Sequence, residues 1–151
     1  MNQMILRVDQ AGKIEDTTKD TILAYVSQES QYTIKIPKKI KQDIFNRCRK
    51  RYRRNITLRF FSYALYLLLK DADFSMIIID DEYPGNGRDI KNMLSHKLKK
   101  DSIIFTNLGK RDLSHTVANQ TFSGKLKPNR IITEIDINQI IPRRKRGMLK
   151  A

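Results

Sequence analysis

The spacing of apolar positions changes several times along the chain, and each change marks an element. Residues 4–9 (MILRVD) are rich in β-formers and stop at Gln10-Ala11-Gly12, which predicts a first strand followed by a turn. Residues 21–27 (TILAYVS) and 32–36 (YTIKI) predict two more strands, and the 28–31 connection is short enough for a hairpin. Pro37 ends the third strand because it has no N–H to give to a ladder. From Lys38 the period lengthens: Ile40, Ile44, Cys48 and Tyr52 recur every four residues and share one helical face. Asn55 is placed to cap a second helix over 56–70, apolar nearly all round and therefore expected to be central.

Residues 75–80 (SMIIID) form a continuous apolar run, as expected of a strand covered on both faces. After a Pro-Gly-Asn-Gly turn at 84–87, Ile90, Met93, Leu94 and Leu98 lie at helical spacing. Residues 102–106 (SIIFT) predict a fifth strand, and 112–122 a further helix ended by Ser123-Gly124. Residues 130–141 contain a predicted last strand (RIITEIDI), and Pro142 opens a basic tail. The expected fold class is α/β. Three antiparallel strands are followed by a βαβα run in a mixed five- or six-stranded sheet, with helices on both faces. Residues 1–141 form one domain and 142–151 a tail.

Charge changes the picture more than length does. The 151 residues carry 30 Lys and Arg against 16 Asp and Glu, a net charge of +14. Such a field attracts polyanions, nucleic acid first. The positive residues are clustered: nine lie in 38–54, beside one acid, and five in 143–151. A one-signed run repels itself unless a polyanion neutralises it, although a solvated face and a solubility tail are the plainer readings. The candidate phosphate contacts are Lys41, Arg47, Arg49, Lys50, Arg51, Arg53 and Arg54, with Arg143, Arg144, Lys145 and Arg146 as an arm. The single Cys48 excludes an internal disulfide, and no Cys/His metal spacing occurs. The longest apolar run, 58–69, contains Arg59 and is far short of a membrane span, so a soluble cytoplasmic protein with no membrane partner is expected.

The element order, with Asp9 ending the first strand (VDQAGKI) and Asp80 ending the fourth (IIIDDEYPGNG), resembles the ribonuclease-H-like superfamily. Integrases, transposases and junction resolvases are among its members. The resemblance implies that acids from the first strand, the fourth strand and the last helix converge on two divalent ions. By position these are Asp9, Asp80 or its neighbour Asp81, and Asp112 in GKRDLSHTVAN. It covers residues 4 to about 124 in topology, and the 38–70 region lacks the Glu that many members carry there. His115 and Asn119 lie where another acid could have stood, and His115 is a candidate proton shuttle.

Each candidate has a plainer counterpart. Asp9 could simply form the turn before Ala-Gly, and the 80–82 acids could be a solvated strand end. His115 could be an ordinary helix residue, and His96, among lysines, a solvated one. Gly85-Asn86-Gly87 lacks the spacing and the Lys-Ser/Thr ending of a phosphate loop. Tyr52, Phe60, Phe61, Tyr63 and Tyr66 lie at helical spacing and read as packing. The expected function is therefore a nucleic-acid-acting protein, a nuclease using Mg²⁺ or Mn²⁺. The alternatives are a non-catalytic nucleic-acid-binding module and a basic protein-interaction subunit.

Overall fold

The computed structural model describes residues 4–48, 53–94, 98 and 102–140, with the side chains of Arg53, Arg54, Ile137, Gln139 and Ile140 left aside. Eleven elements follow in the order β1 (Ile5–Ala11), β2 (Thr21–Val26), β3 (Gln31–Ile36), α1 (Lys38–Arg47), α2 (Arg53–Leu69), β4 (Met76–Asp80), α3 (Gly87–Leu94), β5 (Ile103–Thr106), α4 (Leu113–Phe122), β6 (Arg130–Ile131) and α5 (Glu134–Ile140). The six strands form one mixed sheet in the order β5-β4-β1-β2-β3-β6. The short early connections make β1–β2 and β2–β3 antiparallel, and the helical crossovers make β1–β4 and β4–β5 parallel.

Strand alternation divides the core. Leu6 and Val8 of β1, Leu23 and Tyr25 of β2, Ile34 and Ile36 of β3, and Ile77 and Ile79 of β4 pack on one side with α1, α2 and α3. Helix α2 supplies most of that layer, including fully buried Phe60, Phe61 and Leu65. The other side of β1 and β2 offers Ala11, Ile22, Ala24 and Val26 to Val117 and Ala118 of α4. Three of those six side chains are alanines, so α4 can lie close to the strands.

Three elements differ from expectation. Strand β1 does not stop at Asp9: Gln10 and Ala11 still pair with Leu23 and Ile22, so Asp9 lies within the ladder and not in a turn. The predicted last strand is only β6, two residues parallel to β3, and the chain then turns into α5. The reason is local. Asp136 accepts from the backbone N–H of Thr133, and Thr133 is spaced from it as in a capping box, which favours a helix start over a strand. Helix α2 also begins at Arg53, two residues before the predicted cap at Asn55. Among the described residues, no helix is long and apolar enough to cross a membrane.

Candidate functional site

Strands β1 and β4 pair in parallel with Val8 opposite Ile79, so Asp9 and Asp80 come next along neighbouring strands. Both side chains leave the sheet on the α4 side, since Val8 and Ile79 are committed to the opposite layer. Glu82 lies two residues beyond Asp80, past the end of β4, where a tight turn in which its N–H donates to the Asp80 carbonyl at 2.9 Å keeps it beside Asp80. Oxygens of Asp9, Asp80 and Glu82 all lie within 4.8 Å of one another, close enough to hold one metal ion. They line a cleft of about 120 Å³ together with Asn107, Gly109, Lys110 and His115.

Each wall has a structural cause. The β5–α4 loop is drawn in because the backbone N–H of Leu108 donates to Asp80 Oδ1 at 2.8 Å. The close seat of α4 on the alanine patch brings His115 Nδ1 to 2.9 Å from Asp9 Oδ2. The other Asp9 oxygen accepts from the Gln10 N–H at 2.7 Å. Asp9 is 4% exposed.

Electrostatics here is unfavourable without a cation. Burial raises the Asp9 carboxyl above its usual value, as does the Asp80 charge, against the lowering effects of the Gln10 amide and His115. Burial also drives Glu82 up to about 8, helped by a hydrogen bond to Asp80 and by the charges of Asp80 and Asp9, with Lys13 opposing. Three carboxylates so close do not all ionise at neutral pH, and a proton stays on the group. A divalent cation would replace that proton. The donor set, three carboxylates of hard oxygen, matches Mg²⁺ or Mn²⁺ better than a thiolate-seeking ion.

The structure brings Asp9, Asp80 and His115 together and leaves two other expected ligands outside. Asp112 caps α4, accepting from the N–H of Ser114 at 3.0 Å, and pairs with Arg7 Nε at 2.8 Å. Burial pushes Asp112 up, but Ser114 and Arg7 together hold it below the ordinary carboxylate value. It is not among the acids that meet within 4.8 Å, so it serves as a helix cap and the partner of Arg7 and not as a member of that group. Asp81 is not part of the group either; its N–H donates to the Thr106 carbonyl at 3.0 Å and holds the end of β4 against β5. Glu82 entered the sequence reading only as part of the 80–82 run of acids and not as a named ligand; that run, leaving a buried strand, was the available signal.

The expected phosphate contacts also divide. Lys41 is corrected outright: it is 0% exposed. Its ammonium donates to the carbonyls of Lys13 and Asp16 and to Thr21 Oγ1, three acceptors for three protons. Arg47 pairs with Asp43 at 3.1 Å on the surface of α1. Arg49, Lys50, Arg51 and Arg143, Arg144, Lys145 and Arg146 lie outside the described residues, as does His96, and the side chains of Arg53 and Arg54 are likewise not described. Searches against protein-family models, curated proteins and solved structures return no match.

Proposed function

We propose that the chain is a divalent-metal-dependent phosphodiester hydrolase acting on nucleic acid, with a ribonuclease-H-like core. The observation that carries this is the meeting of Asp9, Asp80 and Glu82 within 4.8 Å just past the point where the parallel pairing of β1 and β4 ends. The superfamily resemblance is supported by the order of elements and by the pairing of the first and fourth strands that bear acids. Ligands in α/β sheets commonly gather beyond the carboxyl ends of parallel strands, where this cleft lies.

Asp9, Asp80 and Glu82 would hold Mg²⁺ or Mn²⁺, which when bound polarises a phosphate oxygen and lowers the pKa of a coordinated water. The protein's own side chains do the rest. His115 fixes the Asp9 carboxylate and stands beside it as a proton carrier. Lys110 lines the same cleft and offers a positive charge to a substrate phosphate. The net charge of +14 draws the polyanion in.

Labelled single- and double-stranded DNA and RNA, incubated with Mg²⁺ or Mn²⁺, test the reading. Wild type should cleave at least one of them. Asp9→Asn, Asp80→Asn and Glu82→Gln should each reduce the rate by on the order of 100-fold or more, the scale of losing a group that stabilises transition-state charge. No cleavage of any substrate by wild type, or undiminished cleavage by all three variants, would falsify it.

A further inference from the structure

A second concavity lies outside the acidic cleft, at the free edge of the sheet. Among the described residues β5 is an edge strand, paired only with β4. Between that edge and α3 lies a groove of about 460 Å³, lined by Gly87, Arg88, Lys91, Asn92, Ile104 and Phe105. Its volume is within the range of ligand pockets, roughly 300–1,000 Å³.

The composition of the groove is two-sided. Helix α3 turns its buried residues, Ile90 and Leu94, to the core, which leaves Arg88 and Lys91 beside the groove. No ion pair among the described residues engages either cation. The facing wall holds Phe105, which packs partly against the core, while Ile104, its neighbour in β5, points to the other face and lies 42% exposed at the rim. Gly87 lets the start of α3 pack directly against the Phe105 ring, since a Cβ there would stand 3.1 Å from it. Cations on one wall and an aromatic ring on the other suit a backbone phosphate and an unstacked base.

The groove opens on the face of the sheet opposite the acids, yet lies close to them along the β5 edge. Phe105 pairs with Ile79 and Thr106 with Asp80 in the β4–β5 register, and Leu108, two residues on, donates to Asp80. Strand rise and spacing put Ile104 roughly 8 Å from the level of Asp80. A strand that passes around the free β5 edge by Ile104 can therefore reach both places.

We infer that this groove binds a single-stranded stretch of nucleic acid flanking the scissile bond, with Arg88 and Lys91 on phosphates and Phe105 against a base. The inference deepens the nuclease reading and rests on it for the identity of the cleaved strand, but binding can be measured without cleavage. Duplex ends would have to fray to enter, so single strands are preferred.

The test is fluorescence anisotropy of the full chain with labelled single-stranded DNA, single-stranded RNA and a blunt duplex. It is run in EDTA across a salt series, for wild type, Arg88→Ala/Lys91→Ala and Phe105→Leu. The double variant should weaken single-strand binding about tenfold or more. It should also flatten the slope of log K against log salt by roughly 1.4, at about 0.7 per phosphate contact on a single strand. Phe105→Leu should weaken it at least about fivefold, the low end for losing one stacked base. Circular dichroism of both variants shows whether the fold is intact, and the exposed Arg88 and half-buried Lys91 keep the double variant informative should Phe105→Leu unfold. Whichever of DNA and RNA loses more affinity in the double variant names the sugar of the bound strand. Unchanged single-strand affinity and slope in the double variant overturn the inference, as does an equal loss on the blunt duplex. So does a dimer in sedimentation that the double variant breaks, since that would make the groove a contact between copies. If Asp9→Asn abolishes cleavage while the double variant binds normally, the groove fails and the nuclease reading stands. If wild type never cleaves but the double variant binds weakly, the groove stands and the nuclease reading fails.

Discussion

At the scale of single residues, Lys41 shows how a charge can serve structure and not binding. It is buried with its ammonium spent on two backbone carbonyls and one hydroxyl, and it ties the 12–20 loop to α1. Burial lowers its pKa from 10.5 to about 8, against the raising charges of Asp16, Asp20 and Glu15. The folded value is thus below the unfolded one. Below about pH 8 both states hold the proton and stability does not change on this account. Between about 8 and 10.5 the unfolded chain binds a proton that the native state has released, so stability rises with pH. Lys41→Met should remove that rise and cost roughly 2–4 kcal/mol near neutrality, because buried carbonyls lose their partners. Urea denaturation of wild type and variant at pH 7, 8.5 and 10 measures both effects. A constant difference between the two proteins over that range would contradict the assigned titration.

At the scale of elements, the loop between β1 and β2 is where one residue decides whether two strands close. Gly12 ends β1 at φ +78°, and a Cβ built there would stand 2.4 Å from the Asp20 carbonyl oxygen. Gly12→Ala therefore has to force both an unfavourable dihedral and a backbone clash, with an expected loss of about 2 kcal/mol or more. Thermal melting of the variant checks this, and a melting temperature equal to wild type would mean that the loop yields without strain. Much of the element order was legible in the spacing alone. The apolar run before Asp80 gave β4, and the helical period after Lys38 gave α1. The 130–141 segment was misread because alternation of Ile with Thr, Glu and Asp looks like a strand, whereas capping at Thr133 makes it α5.

At the scale of the whole molecule, net charge and cleft position work together. The acids at the strand ends would repel a phosphate backbone by themselves, and the surplus of positive charge elsewhere offsets that repulsion at a distance. Binding of a single-stranded oligonucleotide should therefore fall steeply with salt. A slope of log K against log salt of about −3 or steeper corresponds to at least four phosphate contacts at roughly 0.7 each. Filter binding between 50 and 300 mM salt, on the order of the range where such slopes are read, measures it. A flat dependence would remove the polyanion as the partner.

The sequence by itself determined the alternation of strands and helices, the mixed sheet and the excess of positive charge, since each follows from local spacing or composition. It also singled out Asp9, Asp80 and His115 as residues of interest. Only the tertiary structure decided which of them meet, because the register of β1 on β4 and the seat of α4 on an alanine patch depend on contacts far apart in the chain. The same contacts brought Glu82 into the group, set Asp112 aside as a helix cap, and buried Lys41 beneath a loop. Residue type names a possible chemistry, whereas packing fixes which partners each side chain can reach.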